Sequence, residues 1–190
     1  MLGTSLRMIV WMTLLTGFLY PLLIWIAAQG FWYEKANGSL VYVEEVARGS
    51  RWIGQKFHDV KYFWSRPSAI DYNPLPSGGS NLSPTSAVLK AQVEERTKMQ
   101  QAAHGGPPPS DLLYASGSGL DPHISPHAAY YQLERVAKAR GLDTEEEKNK
   151  LKALIEKFTK RTLWGFIGDD RVNVLLLNQA LDELSTPSKS

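Results

Sequence analysis

The sequence predicts a single N-terminal transmembrane helix followed by an extracytoplasmic α+β domain. Three observations support this fold class: an uncharged run near the N-terminus, strand-like segments between residues 41 and 64, and helical patterns after residue 86. The chain has 190 residues and no cysteine, which excludes a disulfide scaffold, a thiolate metal site and a thiol nucleophile. With 21 basic and 19 acidic residues, its charge is too balanced for a nucleic-acid binder.

The transmembrane prediction rests on residues 9–28, none of which is charged. As a helix this run spans about 30 Å, the thickness of the bilayer hydrocarbon. A cleaved signal peptide is the alternative, but its apolar region has about 7–15 residues and ends in a small-x-small cleavage site. Here the run continues into Phe31, Trp32 and Tyr33, which resemble an interfacial aromatic belt. We therefore expect a retained anchor.

The charge of the N-terminal tail predicts the orientation of the anchor. The tail carries Arg7 and no acid, so the positive-inside rule keeps it in the cytoplasm. The expected organisation is a cytoplasmic tail at 1–8, a transmembrane helix at 9–28 and an extracytoplasmic domain at 34–190. The chain is therefore expected to be a single-pass membrane protein.

A stripe of small residues marks one face of the predicted anchor. Thr13, Gly17 and Pro21 recur every four residues, a spacing that allows another membrane helix to approach closely. We therefore count all three as candidates for contact with a partner helix.

The strand predictions come first in the exported domain. Residues 41–46, 50–57 and 61–64 alternate or cluster apolar and aromatic side chains, as strands do. Residues 66–84 hold four prolines and a Gly-Gly pair, so this stretch is predicted to be a long loop.

The helix predictions follow. Residues 86–103 are good helix formers, and a second helix is expected between the N-cap Ser125 and a left-handed Gly141. Thr144 with Glu147 forms a capping box that opens a third helix. The expected buried stripes of the second and third helices are Ala129, Leu133, Val136 and Ala137, then Leu151, Leu154, Ile155 and Phe158. A short strand at 171–174 and a helix at 175–184 complete the chain.

Residues 116–127 combine serine, aspartate and histidine, which leaves two chemical alternatives open. A membrane-anchored hydrolase would use Ser118, Asp121 and a histidine, although Ser118 lacks the G-x-S-x-G frame. A metal-binding module would use Asp121, His123 and His127.

Two glycine-rich loops are further candidates for contact with a partner. SGGSN has free backbone amides but lacks the G-K-[ST] of a phosphate-binding loop. The candidate residues are Ser77, Gly78, Gly79, Ser80 and Asn81 in the first loop, and Ser116, Gly117, Ser118, Gly119 and Asp121 in the second.

The motifs, taken together and in order, resemble a known family. They read GSRWIGQKF, YFWSRPSAIDYNPLPSGGSNLSPT, DLLYASGSGLDPHISPHAAYYQLERVAKARGL and RVNVLLLNQAL. This series closely resembles the C subunit of the bacterial Kdp potassium-transporting P-type ATPase, and the resemblance covers nearly the whole chain.

The resemblance implies a non-catalytic accessory subunit in a complex of the bacterial inner membrane, together with potassium-translocating, ATP-hydrolysing and small single-span subunits. It also implies a catalytic chaperone that raises the ATP affinity of the hydrolysing subunit. No cofactor is expected on the chain alone. ATP would be bound jointly with the hydrolysing subunit, and Gln132 is the residue that matches the family's nucleotide contact.

The predicted topology gives an alternative to this nucleotide role. It places Gln132 outside the cytoplasm, and a domain there would cover the external mouth of the potassium subunit and brace the complex. Gln132 is also uncharged and directly precedes Leu133 of the predicted buried stripe, so a packing role is its alternative.

Overall fold

The computed structural model describes residues 2–43, 45–162 and 164–185. The chain divides into two compact units, residues 1–50 and residues 51–190, which are described separately below.

The first unit begins with a continuous helix from Leu2 to Phe31. It consists of α1 (Leu2–Met12), a π-helical segment (Thr13–Leu19) and α2 (Tyr20–Phe31). No residue of this helix is buried against the rest of the chain. Its length and composition suffice to cross a membrane, as the uncharged run predicts. A Cβ built on Gly17 would lie 3.9 Å from Thr13 Cγ2, so these two stripe residues share a face.

A short helix and a hairpin complete this unit. Helix α3 (Tyr33–Ala36) precedes β1 (Leu40–Val43), which pairs antiparallel with β2 (Val46–Ser50). The single strand predicted at 41–46 is therefore wrong. Glu45 has a φ of 64°, which turns the chain back on itself, while Glu44 lies outside the described residues.

The second unit packs helices against a small antiparallel sheet. The sheet has the order β3-β5-β4, formed by β3 (His123–Ile124), β5 (Arg171–Asn173) and β4 (Thr159–Lys160). The helices are α4 (Ala87–His104), α5 (Pro126–Ala139), α6 (Glu145–Phe158) and α7 (Val174–Ser185), with a 3-10 turn at Ser110–Leu112. Helix and strand thus mix in this unit, as the α+β prediction requires.

The helix starts follow the caps predicted from sequence. The side chain of Ser125 accepts a hydrogen bond from the Ala128 amide, and the Thr144–Glu147 capping box is fully formed. The predicted stripes supply much of the core: seven of their eight residues are buried, and Phe158 packs half-buried against them. Apolar periodicity therefore located the helical core correctly.

Two strand predictions in this unit are wrong. Residues 51–57 and 61–64, all of them described, form neither helix nor strand. Their apolar side chains produced the strand-like pattern, but no neighbouring strand pairs with these residues in the described sheets. The predicted strand at 171–174 ends at Asn173, where α7 begins. The loop at 66–84 is confirmed, since none of its described residues is in a helix or strand.

Candidate functional site

The two glycine-rich loops, which are about 40 residues apart in sequence, lie side by side. The carbonyl oxygen of Ser118 accepts hydrogen bonds from Ser77 Oγ (2.9 Å) and from the amide of Gly78 (3.0 Å). The second loop is also held to residue 67, because the amide of Ser116 donates to the carbonyl of Pro67 at 3.1 Å. The structure therefore brings these candidate residues together into one surface.

The close contact between the loops depends on two glycines. A Cβ built on Gly79 would lie 2.9 Å from the carbonyl oxygen of Gly117. Gly119 has a φ of 71°, and a Cβ there would lie 2.5 Å from Ile70 Cγ1 and 2.8 Å from the carbonyl oxygen of Gly78. All three distances are shorter than real Cβ contacts, so the loops meet backbone to backbone.

Ser118 and Asp121 have structural hydrogen bonds of their own. Ser118 Oγ accepts from the amide of Leu120 at 3.1 Å. Asp121 contacts Arg66 Nη1 at 3.1 Å and both the amide and ring Nδ1 of His123, at 3.0 and 3.1 Å. Burial of Asp121 raises its pKa, but the hydrogen bonds from His123 and the charge of Arg66 together lower it. This carboxylate therefore ties Arg66 to the start of β3.

The metal alternative finds little support in the geometry. His127 is exposed in the first turn of α5, whereas His123 is partly buried beside Asp121. Within the described ranges, no group of three or more His, Asp or Glu side chains is arranged to hold a metal ion.

Gln132 is fully buried and binds backbone. Its Oε1 accepts a hydrogen bond from the Trp64 amide at 2.7 Å, and its Nε2 donates to the Trp64 carbonyl at 3.2 Å. The nucleotide contact implied for Gln132 stays a prediction, because the side chain is occupied in this structure.

Asn178 repeats this pattern at the preceding peptide, and the sequence analysis missed it. Its Oδ1 accepts from the Phe63 amide at 2.8 Å and its Nδ2 donates to the Phe63 carbonyl at 2.9 Å. We call Gln132 and Asn178 the amide clamp. It satisfies the backbone groups of Phe63 and Trp64, with which no strand of the described sheets pairs. A polar amide within the apolar run of α7 was its sequence signal.

Arg135 and His104 surround the same segment. Arg135 donates to Gln132 Oε1 (2.9 Å), to the carbonyls of Tyr62 (3.0 Å) and Val60, and to His104 Nε2 (2.7 Å). Its guanidinium lies 3.9 Å from the ring centre of Trp64, a cation–π contact. Burial lowers the pKa of Arg135 to about 10, which leaves it charged at neutral pH.

His104 is held as the neutral tautomer protonated on Nδ1. Its Nε2 accepts from Arg135, so Nδ1 donates to the Gln100 carbonyl at 3.0 Å. Burial, reinforced by the charge of Arg135, lowers the pKa of His104 to about 4 even though the bond to Gln100 opposes the shift. Its folded-state pKa therefore lies below that of an exposed histidine.

This depressed pKa predicts acid sensitivity. Below the unfolded pKa of about 6.5, unfolded His104 gains a proton that the folded ring resists, so stability falls as pH drops from about 6.5 to 4. Allowing for solvent screening of a half-exposed ring, the loss is about 1–2 kcal/mol. Denaturation of the solubilised full chain across this pH range should show a shallower loss for His104→Gln. Carboxylates such as Asp121 add the same slope to both proteins, and equal slopes would contradict the prediction.

These features define a class of protein: one helix long and apolar enough to cross a membrane, followed by an α+β domain held together by structural hydrogen bonds. Comparison with family models makes the class specific, because residues 2–183 match the model of KdpC, the c chain of the K⁺-transporting ATPase. The chain therefore belongs to the KdpC family.

Individual relatives support this membership over nearly the full length. The chain is 46% identical over 183 residues to the potassium-transporting ATPase KdpC subunit of Leptospira interrogans, covering 95% of this chain and 93% of the relative. It is 46% identical over 187 residues to that of Pectobacterium atrosepticum, covering 96% of each. It is 45% identical over 185 residues to that of Methylococcus capsulatus, covering 94% of this chain and 95% of the relative.

Proposed function

We propose that this chain is a non-catalytic accessory subunit that fixes its domain against the other subunits of the potassium-transporting ATPase. Those partners are the potassium-translocating, ATP-hydrolysing and small single-span subunits. The observation that carries the proposal is the double glycine loop, residues 77–81 packed on residues 116–121.

The double loop has the properties of a preformed contact surface. Ser77, Ser80, Asn81, Gly117 and Ser118 are exposed, whereas Ser116 and Gly119 beneath them are buried. The hydrogen bonds from Ser77 and Gly78 to the Ser118 carbonyl hold the two loops together. A partner that binds here meets ordered backbone groups and therefore loses little conformational entropy on association.

The matched glycines of the first loop test this proposal. Gly79→Ala should reduce recovery of the other subunits in a pull-down on this chain several-fold, because the added Cβ forces Gly79 and Gly117 apart. Gly78→Ala is the control, since a Cβ there has nothing within 4 Å. The substitution also keeps the hydrogen bond from the residue 78 amide to the Ser118 carbonyl. Undiminished recovery with a folded Gly79→Ala chain would count against the double loop as the contact surface.

The proposal includes the orientation expected from Arg7, with the domain outside the cytoplasm at the external face of the potassium-translocating subunit. Because the chain has no cysteine, a single Ala153→Cys on the exposed face of α6 reports its side without background. Labelling by a membrane-impermeant thiol reagent on intact spheroplasts supports this orientation. Labelling only after the cells are broken contradicts it.

The catalytic-chaperone role is a finer part of the proposal. In this structure the side-chain amide of Gln132 is hydrogen-bonded to the backbone of Trp64. Both hydrogen bonds must break before Gln132 can contact ATP directly. If the clamp stays closed, an effect on ATP affinity would have to pass through the assembled complex. ATP affinity of that complex, measured with a variant of each clamp residue, separates the two routes.

A further inference from the structure

The chain between β4 and β5 carries large apolar side chains into solvent. Trp164 is 77% exposed, Phe166 75% and Ile167 48%. The two aromatic rings lie 6.3 Å apart, centre to centre, so they form one apolar tip. We call residues 164–168 the aromatic loop.

The base of the aromatic loop is held firmly. Antiparallel pairing of Lys160 with Arg171 leads into it, and the Thr162 amide donates to Asp170 Oδ1 at 2.7 Å. Trp164, Gly165 and Gly168 all have positive φ, which bends the chain sharply between these anchors. The described residues on the two sides of the tip are therefore held to each other.

The strand that follows the aromatic loop also contacts the first residue of the second unit. That unit begins at Arg51, whose carbonyl accepts a hydrogen bond from Asn173 Nδ2 at 2.7 Å. Asn173 is three residues beyond Asp170, about 10 Å of extended chain. Trp52 and Ile53 follow Arg51 and are 56% and 41% exposed. Strand β5 is thus linked along the chain to the aromatic loop and by a hydrogen bond to Arg51, the residue before this second pair of exposed apolar side chains.

We propose that the aromatic loop, with Trp52 and Ile53, inserts into the headgroup region of the bilayer that holds the anchor. Tryptophan and other aromatic side chains favour this region, and a fluid lipid interface requires no particular shape of the loop that enters it. Among the described residues from 159 to 171, Lys160 and Arg161 are exposed cations and Asp169 is the only exposed acid. The two cations can bind lipid phosphates. Lysine is depleted at protein interfaces, which favours lipid at Lys160, whereas tryptophan, phenylalanine and arginine occur at both kinds of interface. The test below therefore separates a lipid from a protein occupant.

The proposal needs the membrane anchor but neither the assembly role nor a particular side of the membrane. Its test uses the full chain alone, reconstituted into vesicles of phosphatidylethanolamine and phosphatidylglycerol. Ile167→Cys carries an environment-sensitive fluorophore and keeps Trp164 and Phe166, while the same fluorophore at Ala153→Cys on α6 is the control. Some of the lipid carries a nitroxide quencher near the headgroup.

We expect the label at residue 167 to emit at shorter wavelength and to lose most of its fluorescence to the lipid quencher, whereas the label at 153 keeps nearly all of it. Adding Trp164→Ser and Phe166→Ser should restore the fluorescence of the residue 167 label. Equal quenching at both sites overturns the proposal. So does a label at 167 that becomes shielded only when the other subunits are added, since a protein partner then covers the loop.

Discussion

Asn178→Ala is expected to lower the free energy of unfolding by about 2–5 kcal/mol, because it leaves the buried amide and carbonyl of Phe63 without partners. Each unsatisfied buried group costs about 1–3 kcal/mol, and the whole stability of a domain is only about 5–15 kcal/mol. The melting temperature should fall by about 10 °C for a domain of this size. Thermal denaturation of the solubilised full chain, followed by tryptophan fluorescence, measures this loss.

Gln132→Ala is the matched variant, because Gln132 makes the same pair of bonds to the adjacent residue Trp64. The two losses of stability should be similar, with Gln132→Ala slightly worse since Arg135 also loses an acceptor. If Gln132 has only a structural role, both variants should change the ATP affinity of the assembled ATPase equally. A selective loss of ATP affinity in Gln132→Ala would instead support direct nucleotide contact.

The amide clamp itself would be contradicted by an Asn178→Ala chain that melts within a degree or two of the unsubstituted one. An Asn178→Asp variant adds a second check, since it keeps one acceptor for the Phe63 amide but loses the donor and buries a charge. It should be at least as unstable as Asn178→Ala near neutral pH.

Gly119→Ala is expected to cost about 3 kcal/mol, from left-handed backbone strain of about 1–2 kcal/mol and an overlap worth about 1–3 kcal/mol. The residue has a φ of 71°, and the new methyl group would overlap Ile70 and the carbonyl oxygen of Gly78. The substitution should therefore separate the double loop as well as destabilise the unit beneath it.

Gly117→Ala provides the control, two residues away in the same loop. Its Cβ would have nothing within 4 Å, and its φ lies outside the left-handed region. Chemical denaturation of both chains should place Gly117→Ala within about 0.5 kcal/mol of the unsubstituted protein. Similar losses of stability in the two variants would contradict this explanation, because only Gly119 has the positive φ and the overlapping neighbours.

Local chemistry made the helices predictable. Ser125 and Thr144 cap helices as their sequence context indicates, and Gly141 has the expected positive φ of 68°. These capping interactions join residues only a few positions apart, so they do not depend on how the rest of the chain folds. The presence of an apolar helix long enough to cross a membrane was predictable from the uncharged run at 9–28, although the helix extends from Leu2 to Phe31.

Strands were predicted poorly because pairing depends on distant partners. Residues 61–64 look like a strand, but two helix side chains bind Phe63 and Trp64 in place of a neighbouring strand. Strands β3 and β4 have two residues each, too few for an alternating pattern. The glycine-rich loops were recognised separately, yet their mutual contact depends on tertiary folding that no local pattern encodes.

The amide clamp also has a mechanical consequence. Chain arriving from the membrane helix is fastened three times within 14 residues: at Arg51 by Asn173, at Gly54 by Leu120, and at Phe63 and Trp64 by the clamp. Tension on that chain would load all of these bonds before it reached the loops beyond. Force applied at Arg51 would therefore reach the helical core through these bonds before residues 51–64 could unravel.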